Sequence, residues 1–580
     1  MSAYALASHA VLSVSPIIHH LCQPIVSLPP QGSLPDNTHS PGGKRTGTIP
    51  TVQMKLIEGV PIYTFWEPCP LAEAMVVQAG RIVAVGSREE LAARYAGAER
   101  VRLDGGAIVP AFNDCHCHVL PLGIDLGKAD LRGCTSVAEI QHRLREWAMQ
   151  HPNAPWILGR AYDQNLLPEG QHLTRHDLDA VSRERPIFLN HVSKHGAAAN
   201  SRALELAGIT RETPDPPDGV IVRDERGEPT GILLESAAAM VSRHIPKPTA
   251  TELVDAILRA THDMAQRGIL AASDASTGWL DLEQEINAYT RALEQGAPVR
   301  LTLMPLYSAA QRAGWLEQAE SAGEATGLTP TPLSPHPDLR WGAIKLFADG
   351  AFTTRTAAVR EPYADTGTTG TLMHEPEELM ERILTIHRAG WQCAVHAIGD
   401  RAIELVLQGY QHALEAFPRA DHRHRIEHAM LVADDLLPLM HSLGVVAVPQ
   451  PEFLWWLTTA YLKGLGERAH ALMPYRSWLQ HGIAVAFSSD QPVVPGDPIL
   501  GWRAAVTRTS MDGTCLNPNE ALEPLTALRL FTVGSAYATR DPELGQLAPG
   551  MQARWMLLSH PPEQIAIAEM KVLTTSAEVA

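Results

Sequence analysis

Two histidines separated by one residue are the sharpest candidate for chemistry in this sequence. His116 and His118 lie in the segment 114–118 (DCHCH), directly after the apolar run 107–112. Alternate residues of a β-strand point to the same side, so both imidazoles would project together from the end of that strand. Imidazole is a common ligand of zinc and similar divalent ions. The pair therefore predicts a shared metal ion, although such pairs also arise by chance in a chain with 26 histidines.

Further side chains of the metal-binding type recur later in the chain. His396, His428 and Asp490 each stand where a short apolar run gives way to polar residues. In an α/β barrel the carboxyl ends of the strands meet on one face, which is where such enzymes place their chemistry. Each residue alone is more often structural, but their recurrence at successive strand ends favours one metal site. Other histidines, including His422 and His424, fall in polar context and are expected to be solvated.

A lysine inside an apolar run is the third unusual feature. Lys345 lies within the run 344–347, where an unpaired ammonium group would be costly. One solution is carboxylation by CO2, which gives a carbamate that can bridge two metal ions. The alternative is a buried salt bridge with Asp349 or another acid. The residues alone leave both interpretations open.

Short strands that are apolar on both faces alternate with helices along most of the chain. Such runs lie at 107–110, 187–189, 344–347, 393–395, 445–448 and 483–487, with helical stretches such as 252–267 and 376–389 between them. This alternation is typical of a parallel sheet covered by helices, and eight such units close a barrel. We therefore predict an α/β fold with a (β/α)8 TIM-type barrel.

The two chain ends predict a second, smaller domain. Residues 73–86 have the pattern of two β runs around a turn at Ala79-Gly80. The late apolar run 556–558 comes after helical segments and could rejoin the β segment of residues 55–110, giving a small β-sandwich built from both ends. The predicted division is 1–53 disordered N-terminal extension, 54–110 small β domain (first part), 111–500 barrel, and 501–580 C-terminal helices and small β domain (second part).

The N-terminal segment does not have the parts of a targeting signal. Residues 1–35 contain no charged side chain, but a cationic n-region is missing and prolines interrupt the apolar character. Residues 31–50 are rich in Gly, Pro, Ser and Thr, a composition typical of disorder. One hypothesis is that translation begins at Met54.

Composition limits the class of partner and the compartment. The 580 residues include 47 Lys and Arg against 64 Asp and Glu, and the formal charge of −17 argues against general binding of nucleic acid or an anionic membrane. The cysteines number seven, and four of them fall in segments of interior type, so a disulfide framework is not expected. No CxxC pair occurs, so a cysteine-built zinc site is not expected either. We expect a cytoplasmic protein with a small-molecule substrate, and a homo-oligomer stays open.

Motifs spread over residues 55–560 resemble the amidohydrolase superfamily, and within it the YtcJ-like (amidohydrolase 3) family. They lie at 80–86, 110–114 before the histidine pair, 173–179, 193–195 with 200–201, Lys345 with 349–350, 395–400, 425–428 and 489–493. The resemblance implies a (β/α)8 barrel beside a small β domain. It also implies one or two divalent ions, with zinc the expected metal. The implied ligand set is His116, His118, His396 and His428, with Lys345 at the family's lysine position.

The activity implied by the resemblance is cleavage of a C–N, amide-type bond of a small molecule by attack of a metal-bound hydroxide. Asp490 would act as the catalytic base. His195 would stabilise an oxyanion, Arg476 would meet an anionic substrate group, and Trp455 would line the mouth of the site. The alternatives for these three are a loop histidine, a surface ion pair and simple packing. Deamination or ester hydrolysis on the same site, and a non-catalytic binding or regulatory barrel, are the rival functions.

Overall fold

The computed structural model covers most of the chain after its N-terminal segment. The described residues are 53–193, 195–317, 335–567 and 569–579. The predicted disordered extension, and with it the hypothesis of a start at Met54, therefore lies outside the described residues but for its last residue. From Met54 onward the chain forms one unit.

Strands and helices alternate through the described chain. The strands are β1 (Lys55–Tyr63), β2 (Leu71–Gln78), β3 (Arg81–Gly86), β4 (Glu99–Arg102), β5 (Ala107–Pro110), β6 (Phe112–Cys117), β7 (Ala129–Asp130), β8 (Ile157–Tyr162), β9 (Ile187–His191), β10 (Gly196–Ala199), β11 (Gly219–Arg223), β12 (Pro229–Glu235), β13 (Ile269–Thr277), β14 (Arg300–Pro305), β15 (Leu339–Trp341), β16 (Ile344–Phe347), β17 (Cys393–Ala397), β18 (Arg425–His428), β19 (Val446–Val448), β20 (Ala484–Val485), β21 (Trp555–Leu558) and β22 (Val572–Thr575). The helices are α1 (Arg88–Arg94), α2 (Val119–Leu126), α3 (Val137–Gln150), α4 (Arg175–Asp179), α5 (Ser201–Leu206), α6 (Ser236–Ser242), α7 (Ala250–Gln266), α8 (Leu282–Glu294), α9 (Tyr307–Arg312), α10 (Pro376–Arg388), α11 (Asp400–Ala416), α12 (Leu437–Leu443), α13 (Glu452–Leu465), α14 (Tyr475–Gln480), α15 (Pro498–Thr507), α16 (Pro524–Arg529), α17 (Ser535–Ala538) and α18 (Ser576–Val579).

Both chain ends contribute to one seven-stranded sheet. Its order is β22–β21–β5–β1–β2–β3, and β4 pairs with β1. The predicted turn joins β2 to β3 with Ala79 and Gly80 in the left-handed region, at φ 50° and 71°, as a tight hairpin turn requires. β21 runs antiparallel to β5, with Met556 opposite Val109. The predicted return of a late strand to the N-terminal β segment is confirmed, whereas the sandwich arrangement stays a prediction.

Two parallel sheets carry the predicted metal-site residues. Their orders are β6–β13–β14–β15 and β16–β17–β18–β19–β20. At one junction the Asp490 N–H donates to the His116 carbonyl and the His118 N–H donates to the Gln491 carbonyl, both at 2.8 Å. At the other, an isolated bridge pairs Leu306 with Lys345. Among the described residues, strand pairing does not run continuously around a closed barrel.

Amphipathic helices cover these parallel strands. The predicted helical stretches 252–267 and 376–389 are confirmed as α7 and α10. α7 begins at a capping box in which Thr249 and Glu252 satisfy each other's backbone N–H groups. Its apolar side chains are buried in the same core as the strands. No described helix is both long and apolar enough to cross a bilayer.

A third sheet lies between β6 and β13 in the chain and corrects the predicted strand assignment. Its order is β11–β12–β10–β9–β8–β7, so the run 187–189, predicted as a barrel strand, belongs here. The run 107–110, which is counted with the barrel runs although the predicted division places 54–110 in the small β domain, forms β5 of the terminal sheet. This inserted sheet has its own buried clusters on its two faces, one around Leu144 and Leu189 and one around Phe188 and Leu233. Burial on both faces gives a strand the same composition in any covered sheet.

Three buried histidines form a hydrogen-bonded chain beside the amino ends of β17 and β18, in which the His424 backbone N–H donates to His422 Nδ1 at 2.9 Å. The Cys393 N–H donates to His424 Nδ1 at 3.0 Å, which leaves the other nitrogen of His424 to donate to His387 Nδ1 at 2.8 Å. His387 Nε2 then donates to the Phe417 carbonyl at 2.7 Å. His422 and His424, expected to be solvated, are instead buried. Their polar neighbours in the sequence gave no sign that backbone groups satisfy both ring nitrogens of His422, or that a backbone N–H and the His387 ring satisfy those of His424.

This histidine chain is expected to make stability fall in acid. Burial lowers the pKa of His387 from 6.5 to about 4 and that of His424 well below its usual value. The unfolded chain therefore binds more protons than the folded one between pH 6.5 and about 4, so the free energy of unfolding falls as the pH falls through this window. Urea unfolding of chelator-treated protein should show a shallower fall for His387→Gln than for the wild type. The exposed His142→Gln is the control, and parallel curves for wild type and His387→Gln would contradict the expectation.

Candidate metal centre

Three of the predicted metal-site residues come together where β6 meets the loop after β20. Ligand atoms of His116, His118 and Asp490 all lie within 4.8 Å of one another. Asp490 Oδ1 lies 3.1 Å from His118 Nε2 and 3.5 Å from His116 Nε2. The period of two along β6 places both imidazoles on one side, as predicted. Asp490 adopts a left-handed conformation, with φ of 58°, where the chain turns after β20.

The other three predicted residues border this group. The ring of His428 lies 5.0 Å from that of His116 and 4.4 Å from that of His396, between centroids. Lys345 Nζ lies 3.3 Å from His116 Nε2. These three side chains stand on the neighbouring parallel strands β16, β17 and β18. The structure therefore brings all six predicted residues into one connected cluster.

Glu427 fixes the orientation of His116 and was not singled out from the sequence. Its carboxylate accepts a hydrogen bond from His116 Nδ1, and Arg425 donates to its two oxygens at 2.7 and 2.8 Å. Burial alone would raise the pKa of Glu427, but Arg425 and His116 hold it well below its ordinary value. Because a carboxylate can only accept, His116 carries its proton on Nδ1 and presents Nε2 to the cluster. An acid and an arginine two residues apart in a buried strand are the signal that could have identified this pair.

Replacing Glu427 by Gln is expected to weaken metal binding and folding together. The neutral amide leaves Arg425 as a buried charge without its counter-ion, which typically costs about 3–5 kcal/mol of unfolding free energy. Loss of the carboxylate behind a histidine ligand lowers metal affinity by roughly 10- to 100-fold. Competition with a chromophoric chelator and urea unfolding measure the two effects. The matched control is Glu139→Gln, which breaks a half-exposed pair with Arg143. Wild-type metal affinity in Glu427→Gln would show that His116 does not depend on this partner.

Hydrogen bonds also select which nitrogen the later histidines present. The amide nitrogen of Gln450 donates to the Val448 carbonyl, so its oxygen faces His428 Nδ1, 2.7 Å away, and accepts from it. His428 therefore presents Nε2. His396 donates from Nε2 to the Gly350 carbonyl at 3.0 Å and presents Nδ1 instead. Burial lowers the pKa of His428 to about 3 and that of His396 well below its usual value, so both are neutral, as metal ligands must be.

Lys345 does not form the salt bridge with Asp349 that was one of its predicted alternatives. The Asp349 carboxylate instead accepts backbone N–H groups of Ala358, Ile398 and Gly399 at 2.9–3.0 Å. Lys345 is buried, with its ammonium group 4.9 Å from the centre of the Phe347 ring. Burial lowers the pKa of Lys345 to about 8, so a neutral amine is accessible near neutral pH.

Among the described residues, no contact joins the three predicted substrate-binding side chains to this cluster. His195 is half exposed at the edge of the inserted sheet, with Nδ1 3.0 Å from Glu235. Arg476 is exposed and donates to the Ala521 carbonyl at 2.7 Å. Trp455 is partly buried against the core. Their roles in substrate binding stay predictions.

Phe453, an aromatic side chain not singled out from the sequence, contacts one of the histidines. Phe453, in the first turn of α13, stacks on His428 with ring centroids 6.3 Å apart and planes 10° apart. The segment that ends β19 and begins α13 thus supplies Gln450 to orient His428 and Phe453 to cover it.

Comparisons with known proteins relate this chain to the amidohydrolase family and to metal-dependent hydrolases. A model described as the amidohydrolase family matches residues 100–578, and a short match relates residues 74–98 to an imidazolonepropionase-like composite domain of bacteria. YtcJ of Bacillus subtilis (strain 168) is 32% identical over 523 residues, which are 88% of this chain and 95% of that protein. An N-substituted formamide deformylase of Arthrobacter pascens is 29% identical over 516 residues, 87% of this chain and 92% of that one. The crystal structure of an uncharacterized metal-dependent hydrolase from Pyrococcus horikoshii OT3 has a TM-score of 0.70 at 28% identity, covering 89% of this chain and 99% of that chain.

Proposed function

Because the chain belongs to the amidohydrolase family, we propose that it is a metal-dependent hydrolase that cleaves a C–N, amide-type bond of a small molecule. The observation that carries this proposal is the convergence of His116, His118 and Asp490 at the carboxyl ends of parallel strands. The relative named N-substituted formamide deformylase supports an amide-type substrate, since its name describes removal of an acyl group from nitrogen.

The donor set suits a divalent metal ion. His116 and His118 would hold one ion with Asp490 beside it, and His396 and His428 present further nitrogens for a second. Imidazole nitrogens with a carboxylate favour zinc among the divalent ions. When bound, such an ion lowers the pKa of a coordinated water from about 15.7 to about 7 and polarises a carbonyl oxygen.

Asp490 is the group placed to move the proton. Burial alone would raise the pKa of Asp490, but its hydrogen bond from His118 and the nearby imidazoles of His116 and His428 hold it well below its ordinary value. The carboxylate is therefore ionised at neutral pH and can accept the proton of the attacking water. The same group would then protonate the leaving nitrogen as the C–N bond breaks.

Family membership also supports closure of the two parallel sheets into a (β/α)8 barrel. β15 and β16 are separated only by Gly342 and Ala343, so together they occupy one strand position. With β6, β13, β14 and β17 to β20 this makes eight positions, and hydrogen bonds link both junctions between the sheets. In this proposal the inserted sheet β7–β12 belongs to the segment 111–500, and the terminal sheet takes strands from 54–110 and 501–580.

Lys345 is proposed to react with CO2. Its neutral Nζ would form an N–C bond and release one proton, giving a carbamate beside His116. Proximity to the ligands and the lowered pKa of Lys345 support this reaction. Carbon-13 NMR of protein equilibrated with labelled bicarbonate should show one carbamate signal that Lys345→Arg removes. The exposed Lys571→Arg is the control, and a spectrum without a Lys345-dependent signal would contradict carboxylation.

Elemental analysis followed by a substrate panel tests the proposed function. The panel contains N-acyl amines, N-acyl amino acids, cyclic amides and the matching esters. Metal-dependent hydrolysis of amides supports the proposal. Turnover of esters alone, or ammonia release from amino-substituted rings alone, would replace it with an esterase or a deaminase. Metal binding with no turnover would favour a binding protein.

The cytoplasm is the proposed compartment. The six described cysteines carry free thiols, and four of them are buried. Free thiols in this number fit a reducing compartment better than an oxidising one.

A further inference from the structure

We propose that the substrate carries a bulky apolar group, aryl or branched alkyl, that packs on an apolar rim beside the metal centre. The apolar rim consists of Trp279, Met373, Trp456, Val493 and Met511. This inference rests on the proposed hydrolase function and names the substrate class of that same site.

Trp279 is placed by the strand that contacts His118. The Ser276 hydroxyl lies 2.9 Å from His118 Nδ1 near the end of β13. Trp279 is three residues further along the chain, so its Cα lies within about 10 Å of that of Ser276. Trp279 is 63% exposed, at a surface position where a polar residue would be ordinary.

Val493 and Met373 follow two other strands of the cluster. The Val493 N–H donates to the Asp490 carbonyl at 2.9 Å, and the side chain is 50% exposed. The Met373 N–H donates to the Ala348 carbonyl at 2.9 Å, directly beyond the strand that carries Lys345. Met373 is 55% exposed. Both therefore stand at the face where the ligands project.

Trp456 and Met511 are held together on the next element. Trp456 is in α13, the helix whose Phe453 stacks on His428. Its indole nitrogen donates to Glu452 Oε1 at 2.9 Å, which fixes the ring. The Met511 N–H donates to the Trp455 carbonyl at 3.0 Å, so Met511 lies beside the same helix. Both side chains are exposed.

The concentration of these side chains is unusual for a surface. The described residues include 15 exposed large apolar side chains; five of them, including both exposed tryptophans, lie at this face. Single exposed apolar residues are ordinary, but a group around one site is typical of ligand binding. Methionines at such a site can adapt to differently shaped groups.

Four matched amides test the substrate class on the purified full-length protein. N-benzylacetamide and N-methylphenylacetamide place an aryl group on the amine or the acyl side, N-methylacetamide lacks it, and N-acetylglycine carries a charge. We expect KM for at least one of the two aryl amides to be about tenfold or more below KM for N-methylacetamide and for N-acetylglycine. Trp279→Ala and Met373→Ala should raise that KM, with a smaller effect on N-methylacetamide, which lacks the aryl group. Met149→Ala, exposed on α3, is the control.

Binding measurements separate this inference from the hydrolase proposal. Calorimetry with chelator-treated protein measures the binding of N-benzylacetamide and N-methylphenylacetamide. Trp279→Ala should bind at least one of these two amides more weakly than the wild type does, even if no amide is hydrolysed. Preference for N-acetylglycine, or equal binding by wild type and Trp279→Ala, would overturn the inference. A change of oligomeric state in Trp279→Ala with unchanged KM would also overturn it, by assigning the apolar rim to a second copy of the chain.

Discussion

Asp490→Asn is expected to keep its metal and lose nearly all turnover. Asparagine has the same shape and retains an oxygen that can stay near His118, but it cannot take a proton. Loss of a positioned general base typically lowers kcat by about 10²- to 10⁴-fold. Steady-state kinetics and elemental analysis of the same preparation measure the two properties separately.

The control for this variant is Asp421→Asn, which changes an exposed carboxylate elsewhere on the surface. It should leave both kcat and metal content at wild-type values. Near-normal turnover in Asp490→Asn would exclude Asp490 as the base, and the proton would then have to be taken by another group.

His116→Ala is expected to have the largest effect on metal content. The substitution removes the imidazole that contacts Asp490, Lys345 and Glu427 at once. Loss of a ligand should lower metal affinity by more than about 100-fold, because loss of a mere supporting partner already costs 10- to 100-fold. Protein dialysed against trace zinc should then contain far less than one ion per chain and should hydrolyse no substrate.

A fold defect must be distinguished from a ligand defect in His116→Ala. His118→Ala removes a less buried ring directly after the same strand and should lose metal with a smaller change in unfolding free energy. His142→Ala, with an exposed ring on α3, should keep its metal. Unchanged metal content in His116→Ala would count against the ligand assignment.

The cluster of His116, His118 and Asp490 could be predicted from the sequence because these residues mark strand ends. The spacing of two between His116 and His118 indicates side chains on one side of a strand, and Asp490 is indicated by its position after an apolar run. Glu427 and Gln450 could not be predicted in the same way. Their roles depend on which side chains the fold places opposite them, and His116 is 311 residues from Glu427.

The composition of a strand did not predict which sheet the strand joins, whereas the residues at strand ends did predict the cluster. The runs 107–110 and 187–189 look like barrel strands, yet they pair in the terminal and inserted sheets. Local apolarity reports burial on both faces, and it does not report the partner strand. The burial of His424 was missed for a related reason, since its hydrogen-bond partners Cys393 and His387 are distant in sequence.

The bond between the Asp490 N–H and the His116 carbonyl has a consequence for biosynthesis. It joins β6, the first strand of the two parallel sheets, to the loop after β20, the last one. At about 5–20 residues per second, a ribosome needs tens of seconds to make the chain between them. During that time the histidine pair exists without its carboxylate, and contacts of such long range form late in folding. Nascent or truncated chains that end before residue 490 would therefore lack this link between the first and last parallel strands, and the site would be completed only after residue 490 is made.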